Sequence, residues 1–206
     1  MKTGDGPQAR EPGSVPRVTG VVLAGGQGSR MGGADKGLQA FRGKPMVQHV
    51  VERLAPQVDE LLINANRNAG AYARFGYRVV ADEIEGFAGP LAGFERGLAH
   101  AGGELVVTAP CDSPFLPPDL VARLRDALES GNAQLAVAKT GSQAHPVFSL
   151  MRRSVHASLR DFLSSGQRKI DRWYGGLAIV EVAFDDEPDA FLNINTLDEL
   201  TGLERN

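Results

Sequence analysis

The sequence predicts an α/β fold with an open, mostly parallel sheet and helices on both faces, and three observations carry that expectation. Short β-branched apolar runs alternate four times with amphipathic helical stretches between Val18 and Leu128, the pattern of parallel strands joined by crossover helices. The first of these runs ends directly in a glycine-rich turn, which places the turn at the ligand-facing carboxyl edge of such a sheet. Past Gln134 three strand-like runs surround one clear helix, so the last third mixes strand directions. The architecture is Rossmann-like in its first part and mixed in its second.

Taken in order, Val18 to Leu23 (VTGVVL) is a buried strand. Met46, Val47, Val50, Val51 and Leu54 recur at helical spacing, and Pro45 suits a helix start. Val58 to Asn64 and Tyr77 to Ala81 read as the second and third strands, with a short helix from Arg67 to Phe75 between them. Gly93 to Ala101 is helical, and Glu104 to Ala109 is a fourth, buried strand. Pro117 and Pro118 open a further helix, whose apolar stripe is Leu120, Val121, Leu124 and Leu128. Leu135 to Ala138, Pro146 to Leu150 and Leu177 to Phe184 are strands, and Ser154 to Ser164 is a helix. Thr196 with Glu199 three residues later forms a capping box for a final helix.

Bulk properties narrow the class. A chain of 206 residues suits one domain, able to bury about 70% of its unfolded surface. A net charge of −3 argues against a general nucleic-acid binder, which needs a basic face. No apolar run approaches the ~18 residues of a membrane span. The lone Cys111 forms no internal disulfide and no Cys-based zinc site, consistent with a reducing, cytoplasmic setting. Residues 1–17 are polar and rich in Gly and Pro and read as a disordered tail. Residues 18–206 read as one domain, with a nucleotide-binding half over 18–134 and an acceptor-binding half over 135–206.

The chemistry concentrates in Leu23-Ala24-Gly25-Gly26-Gln27-Gly28-Ser29-Arg30-Met31-Gly32-Gly33-Ala34-Asp35-Lys36. Five glycines between Gly25 and Gly33 bare backbone N–H groups that a phosphate can approach closely, and Arg30 and Lys36 add two cations. The dinucleotide fingerprint fails, because Met31 stands where its third glycine belongs. A Walker loop fails too, because Ala34-Asp35 comes after Gly33. Asp112 closes the fourth strand among Pro110, Pro114, Pro117 and Pro118. A carboxylate there suits a hard divalent cation that also takes phosphate oxygens, while Asp-Ser-Pro equally suits a turn. Asn64 and Asp82, at the ends of the second and third strands, face the same crevice or cap their strands. Gly89-Pro90-Leu91-Ala92-Gly93 either walls the base or ribose or packs a helix closely on the sheet. Asp35 either orients Lys36 or caps the helix after it, the cap being the preferred reading, and Arg67 reads as a helix-start residue outside the phosphates. His145 and Cys111 read as structural.

The pattern LAGGxGxRMGGxDKGL resembles the signature of nucleotidyltransferases that activate a phosphorylated acceptor with a nucleoside triphosphate. Within them it resembles the molybdenum cofactor guanylyltransferases, through Gly32-Gly33 and Asp35-Lys36-Gly37. The resemblance runs from about Val18 to the C-terminus, with stations at Gly43-Lys44-Pro45, Asn64-Ala65-Asn66-Arg67, the Gly89–Gly93 turn, Pro110-Cys111-Asp112-Ser113-Pro114, His145-Pro146 and Asn193-Ile194-Asn195-Thr196. It implies transfer of GMP from GTP to the terminal phosphate of molybdenum-molybdopterin. It assigns nucleotide contact to Leu23, Ala24, Gly25, Gly26, Gly28, Lys36, Asn64, Asp82 and Asp112, with Asp82 reading guanine. Arg30, Lys36 and Asp112 are the implied catalytic residues, Asp112 the Mg²⁺ ligand. Asn195 sits near the acceptor or metal, or caps the final helix. Molybdenum-insertion proteins and apo-molybdoenzyme chaperones are implied partners. The rival readings are a CTP or sugar 1-phosphate enzyme of the same fold, and a nucleotide-binding protein without turnover.

Overall fold

A computed structural model of the chain describes residues 15–26, 35–83 and 89–194. Strands β1 (Val18–Leu23), β4 (Glu60–Asn64), β5 (Arg78–Val80), β6 (Leu105–Pro110), β7 (Leu135–Thr140), β8 (Gln143–Arg152) and β9 (Ile179–Ala183) form one seven-stranded sheet in the order β5-β4-β1-β6-β8-β7-β9. All run parallel except β8, which is antiparallel to both β6 and β7. The two halves of the chain thus share hydrogen bonds across β6 and β8.

Helices cover both faces because the strands alternate their apolar side chains. Along β1, Val18 and Val22 face one cluster, shared with Val50 and Leu54 of α1 (Met46–Leu54) and Leu120, Leu124 and Leu128 of α4 (Leu120–Ser130). Val21 faces the other, shared with Leu91, Phe94 and Leu98 of α3 (Pro90–His100), Leu159 of α5 (His156–Ser164) and Trp173 of α6 (Ile170–Tyr174). Each fully buried Leu or Val in these clusters contributes about 1.5–3 kcal/mol.

Several elements differ from the expectation in ways that local chemistry explains. Helix α3 begins at Pro90, not Gly93, because a proline at the first helical position needs no N–H partner and Gly89 supplies the positive φ of 70° before it. The expected helix from Arg67 shortens to α2 (Ala69–Ala73), since Asn68 takes a left-handed conformation at its start. Two short elements went unforeseen. One is α6. The other is the hairpin of β2 (Ala40–Phe41) and β3 (Lys44–Pro45), turned by Arg42 and Gly43 with φ of 47° and 77°, the pair of positive values a tight two-residue hairpin needs. Pro146 lies inside β8, where the register against β7 shifts between Val137 and Ala138. That irregularity accommodates a residue with no N–H to give, and Tyr174 donates its hydroxyl to the Pro146 carbonyl at 2.6 Å. The capping box at Thr196 and Glu199 lies outside the described residues.

At the amino end, Arg17 already belongs to the fold. Its N–H donates to Glu104 Oε2 at 2.9 Å, and its carbonyl accepts from the amides of Glu104 and Leu105.

Candidate functional site

The strand order supplies the crevice. After β1 the chain builds β4 and β5 on one side, then returns to place β6 on the other, so the switch point of the sheet lies between the carboxyl ends of β1 and β6, where α/β proteins bind ligands. Backbone bonds lock these ends in register. Cys111 N donates to the Leu23 carbonyl at 3.0 Å, Ala24 N to Asn64 O at 2.7 Å, and Ala65 N to Val80 O at 2.9 Å. Leu23, Ala24, Gly25 and Gly26 therefore leave β1 at this edge, with Asn64 closing β4 and Asp82 and Asp112 two residues past the ends of β5 and β6.

Lys36 and Asp112 meet across the switch point. Lys36 Nζ stands 3.4 Å from Asp112 Oδ2, with the side chains 20% and 14% exposed, open enough for a ligand to reach and dry enough for charge to matter. Burial pushes the Asp112 carboxyl above its ordinary range, and Lys36 pulls it back down. Among the described residues no group of three His, Cys, Asp or Glu could hold a metal. The strand-end carboxylate of Asp112 is of the kind that suits a hard cation completing its shell with phosphate oxygens and water.

Asp82 sits in a polar knot. Its Oδ1 accepts from Asn64 Nδ2 at 2.8 Å, its Oδ2 accepts from Asn66 Nδ2 at 2.7 Å, and its own N–H donates to Asn66 Oδ1 at 2.8 Å. Asn64 also donates to Val80 O at 3.3 Å, and Asn66 reaches the Gly25 carbonyl at 3.4 Å. Asp82 is thereby tied to the glycine turn through Asn66. A carboxylate offers about four acceptor sites, so two remain for further donors. Gly93 explains its own place: a Cβ there would stand 2.6 Å from Asn64 Oδ1 and 2.6 Å from Leu23 Cδ2. Gly93 thus packs α3 against the sheet directly behind Asn64 and Leu23.

The structure corrects the readings of Asp35 and Arg67. Asp35 makes no side-chain cap bond; instead Oδ1 accepts from the Tyr72 hydroxyl at 2.5 Å and Oδ2 from Asn68 Nδ2 at 3.0 Å. Arg67 lies ahead of α2 rather than on it, and its guanidinium donates to the Gly26 carbonyl at 3.4 Å. On the acceptor side, Asp112 O accepts from Ile194 N at 2.9 Å and the Ser113 hydroxyl donates to Asn193 Oδ1 at 2.5 Å. Those bonds bring Asn193, a motif residue to which the sequence pattern assigns no role, beside Asp112. Gly28, Arg30 and Asn195 lie outside the described residues. His145 is held by Thr140 at 2.8 Å and by ring contact with Phe191 and Phe148, and Cys111 is buried with its thiol pushed up by burial and by Asp112, so both fit structural roles.

Residues 20–180 match the model of the MobA-like NTP transferase domain. The chain belongs to this family. It is 54% identical over 192 residues to a molybdenum cofactor guanylyltransferase of Cupriavidus taiwanensis, covering 91% of this chain and 96% of that protein. It is 49% identical over 182 residues to one of Shewanella putrefaciens, covering 88% and 93%. A crystal structure of molybdopterin-guanine dinucleotide biosynthesis protein A from Archaeoglobus fulgidus superposes with a TM-score of 0.76 at 26% identity, covering 91% of this chain and 97% of that one. The seven-stranded sheet is the fold of that protein.

Proposed function

We propose that this MobA-like transferase moves GMP from GTP onto the terminal phosphate of molybdenum-molybdopterin, forming the guanine dinucleotide cofactor and pyrophosphate. The observation that carries the reading is identity of about half, across nine tenths of the chain, to relatives that bear this activity in their name. The Lys36–Asp112 pair at the switch point agrees with it.

An acceptor phosphate oxygen attacks the α-phosphorus in line, the bond to the bridging oxygen of the β-phosphate breaks, and pyrophosphate leaves. An anionic acceptor is already a nucleophile, so no covalent enzyme intermediate is needed and the protein's work is positioning and charge stabilisation. Leu23 to Gly26 and Gly28 offer backbone to the nucleotide, and Lys36 with Arg30 carries charge onto the phosphates. Asp82, steadied by Asn64 and Asn66, accepts from guanine N1–H and the exocyclic amine through its remaining lone pairs. Asp112 would hold Mg²⁺, and the ion would supply charge neutralisation for the phosphates. Asn195 serves the acceptor phosphate.

The partners of this reading are GTP and molybdenum-molybdopterin, then molybdenum-insertion proteins and apo-molybdoenzyme chaperones. Its setting is the cytoplasm, as the thiol of Cys111 suggests; among the described residues no helix is long and apolar enough to cross a membrane. The test is pyrophosphate release from GTP with purified molybdopterin and Mg²⁺. Release that needs both substrates supports the reading. Nucleotide binding with no release in the presence of the pterin overturns it in favour of a binding protein.

A further inference from the structure

We infer that Asp35, Tyr72 and Asn68 form a latch whose role is to position Lys36, an inference that rests on the guanylyl-transfer reading. Lys36 opens a three-residue 3-10 helix, Lys36–Leu38, at the far end of the glycine loop. So short a helix does not set its own orientation, since each turn gains little hydrogen bonding for the backbone it fixes. The residue before it does so instead. Asp35 is anchored at both carboxylate oxygens, by the Tyr72 hydroxyl at 2.5 Å and by Asn68 Nδ2 at 3.0 Å.

The residue after Lys36 is seated on the same tyrosine. A Cβ at Gly37 would stand 2.6 Å from the Tyr72 hydroxyl oxygen and 3.0 Å from Cys111 Sγ, so only glycine lets the backbone lie this close. Lys36 is thus clamped from both sides, and its Nζ comes to 3.4 Å from Asp112 Oδ2. Cys111, the other wall of that seat, is the chain neighbour of Asp112. One buried tyrosine therefore registers the cation-bearing segment against the carboxylate-bearing strand end. Tyr72 has no exposed surface, and its hydroxyl, raised far above its usual titration range by burial first, stays a donor at any working pH.

The latch is built from ordinary packing residues, but its hydroxyl is not required for packing. Tyr72→Phe keeps the ring and removes the donor. Asn68→Gly removes the second donor and tolerates the left-handed backbone (φ 53°) without strain. Both residues act through Asp35 on Lys36 and are positioning residues.

The experiment measures single-turnover rate at saturating GTP, KM for GTP and melting temperature for the parent, Tyr72→Phe, Asn68→Gly, Lys36→Ala and Tyr72→Phe/Lys36→Ala. Tyr72→Phe should lower the rate about tenfold with KM changed less than about threefold, as a misplaced transition-state group does. Asn68→Gly, whose bond is exposed, should do the same to a smaller degree. In the Lys36→Ala background the Tyr72→Phe effect should shrink below about twofold, because residues acting through one group are not additive. An undiminished tenfold loss in that background overturns the latch and leaves the phosphate role of Lys36 standing. A parent-like rate for Tyr72→Phe also overturns it. A parent-like rate for Lys36→Ala overturns the phosphate role itself, and the latch with it.

Discussion

Gly93→Ala joins the packing of α3 to the nucleotide edge in one perturbation. Two effects oppose each other. Alanine in a helix interior is favoured over glycine by about 0.8–1.0 kcal/mol. Against that, the new methyl would meet Asn64 Oδ1 and Leu23 Cδ2, each at 2.6 Å, and overpacking typically costs about 1–3 kcal/mol. The Leu23 methyl lies at the end of a flexible side chain and can turn aside. Asn64 cannot readily do so, because its amide is committed to Asp82 and Val80. The clash should therefore win, with a net loss of up to about 2 kcal/mol and a melting temperature lower by up to about 8 °C for a chain this long. Gly70→Ala is the control, as its position in α2 has no atom within 4 Å of an added Cβ; it should gain about 0.5–1 kcal/mol. The assay is thermal unfolding of both variants beside the parent, with GTP affinity by calorimetry. A displaced Asn64 should loosen Asp82 and weaken GTP by about tenfold in Gly93→Ala. A variant that melts like Gly70→Ala and binds GTP like the parent would refute the claim that Asn64 is braced against α3.

The same geometry has other consequences. Asp112→Asn should lower turnover by orders of magnitude with the fold intact, since it removes the charged ligand at nearly constant volume; near-normal rates across a Mg²⁺ titration would exclude Asp112 as the metal residue. Burial raises the Asp112 pKa, so the native state keeps a proton that the unfolded chain has released, and the parent should lose stability relative to Asp112→Asn as pH rises above the ordinary carboxylate value of about 4. Melting curves of both proteins against pH check the sign, and a gap that instead opens on acidification contradicts it. Asp82→Ala should weaken GTP by about one to two decades, from about 1.5–3 kcal/mol for a lost charged acceptor, and shrink the preference for GTP over ITP, which lacks the exocyclic amine; an unchanged ratio in calorimetry would move guanine reading to other groups. Removing residues 1–14 should leave melting unchanged, because that composition has little apolar surface to bury, whereas extending the cut through Arg17 deletes its N–H bond to Glu104 Oε2 and the bonds its carbonyl accepts from the Glu104 and Leu105 amides and should lower the melting temperature measurably.

The parallel half of the sheet was legible because hydrophobic periodicity is local: VTGVVL and ELVVTA announce buried strands wherever they occur. Strand-end placement of Asn64, Asp82 and Asp112 came from the same reading, and the structure sets all three at one edge. Asn66 stands in the motif Asn64-Ala65-Asn66-Arg67 without a role of its own, because continuing the period of two from Asn64 reveals its face but not its partner. The latch escaped for a stronger reason. Tyr72 reads as an apolar position of a short helix, and its bond to Asp35 spans 37 residues, a pairing that only the tertiary fold brings about. Arg67 was misplaced because the left-handed Asn68 delays the start of α2, an interruption that helical periodicity does not register. The hairpin at Arg42 and Gly43 was missed because its strands are two residues each, too short for alternation to show.

The central claim, guanylyl transfer onto molybdopterin, is tested most directly by product identity. The protein is incubated with equimolar GTP and CTP, Mg²⁺ and molybdenum-loaded molybdopterin, and the pterin products are identified by mass. The account predicts the guanine dinucleotide with an equal amount of pyrophosphate, and loss of both in Asp112→Asn. A cytosine dinucleotide as the main product, or a pterin left unmodified while GTP is bound, would contradict it.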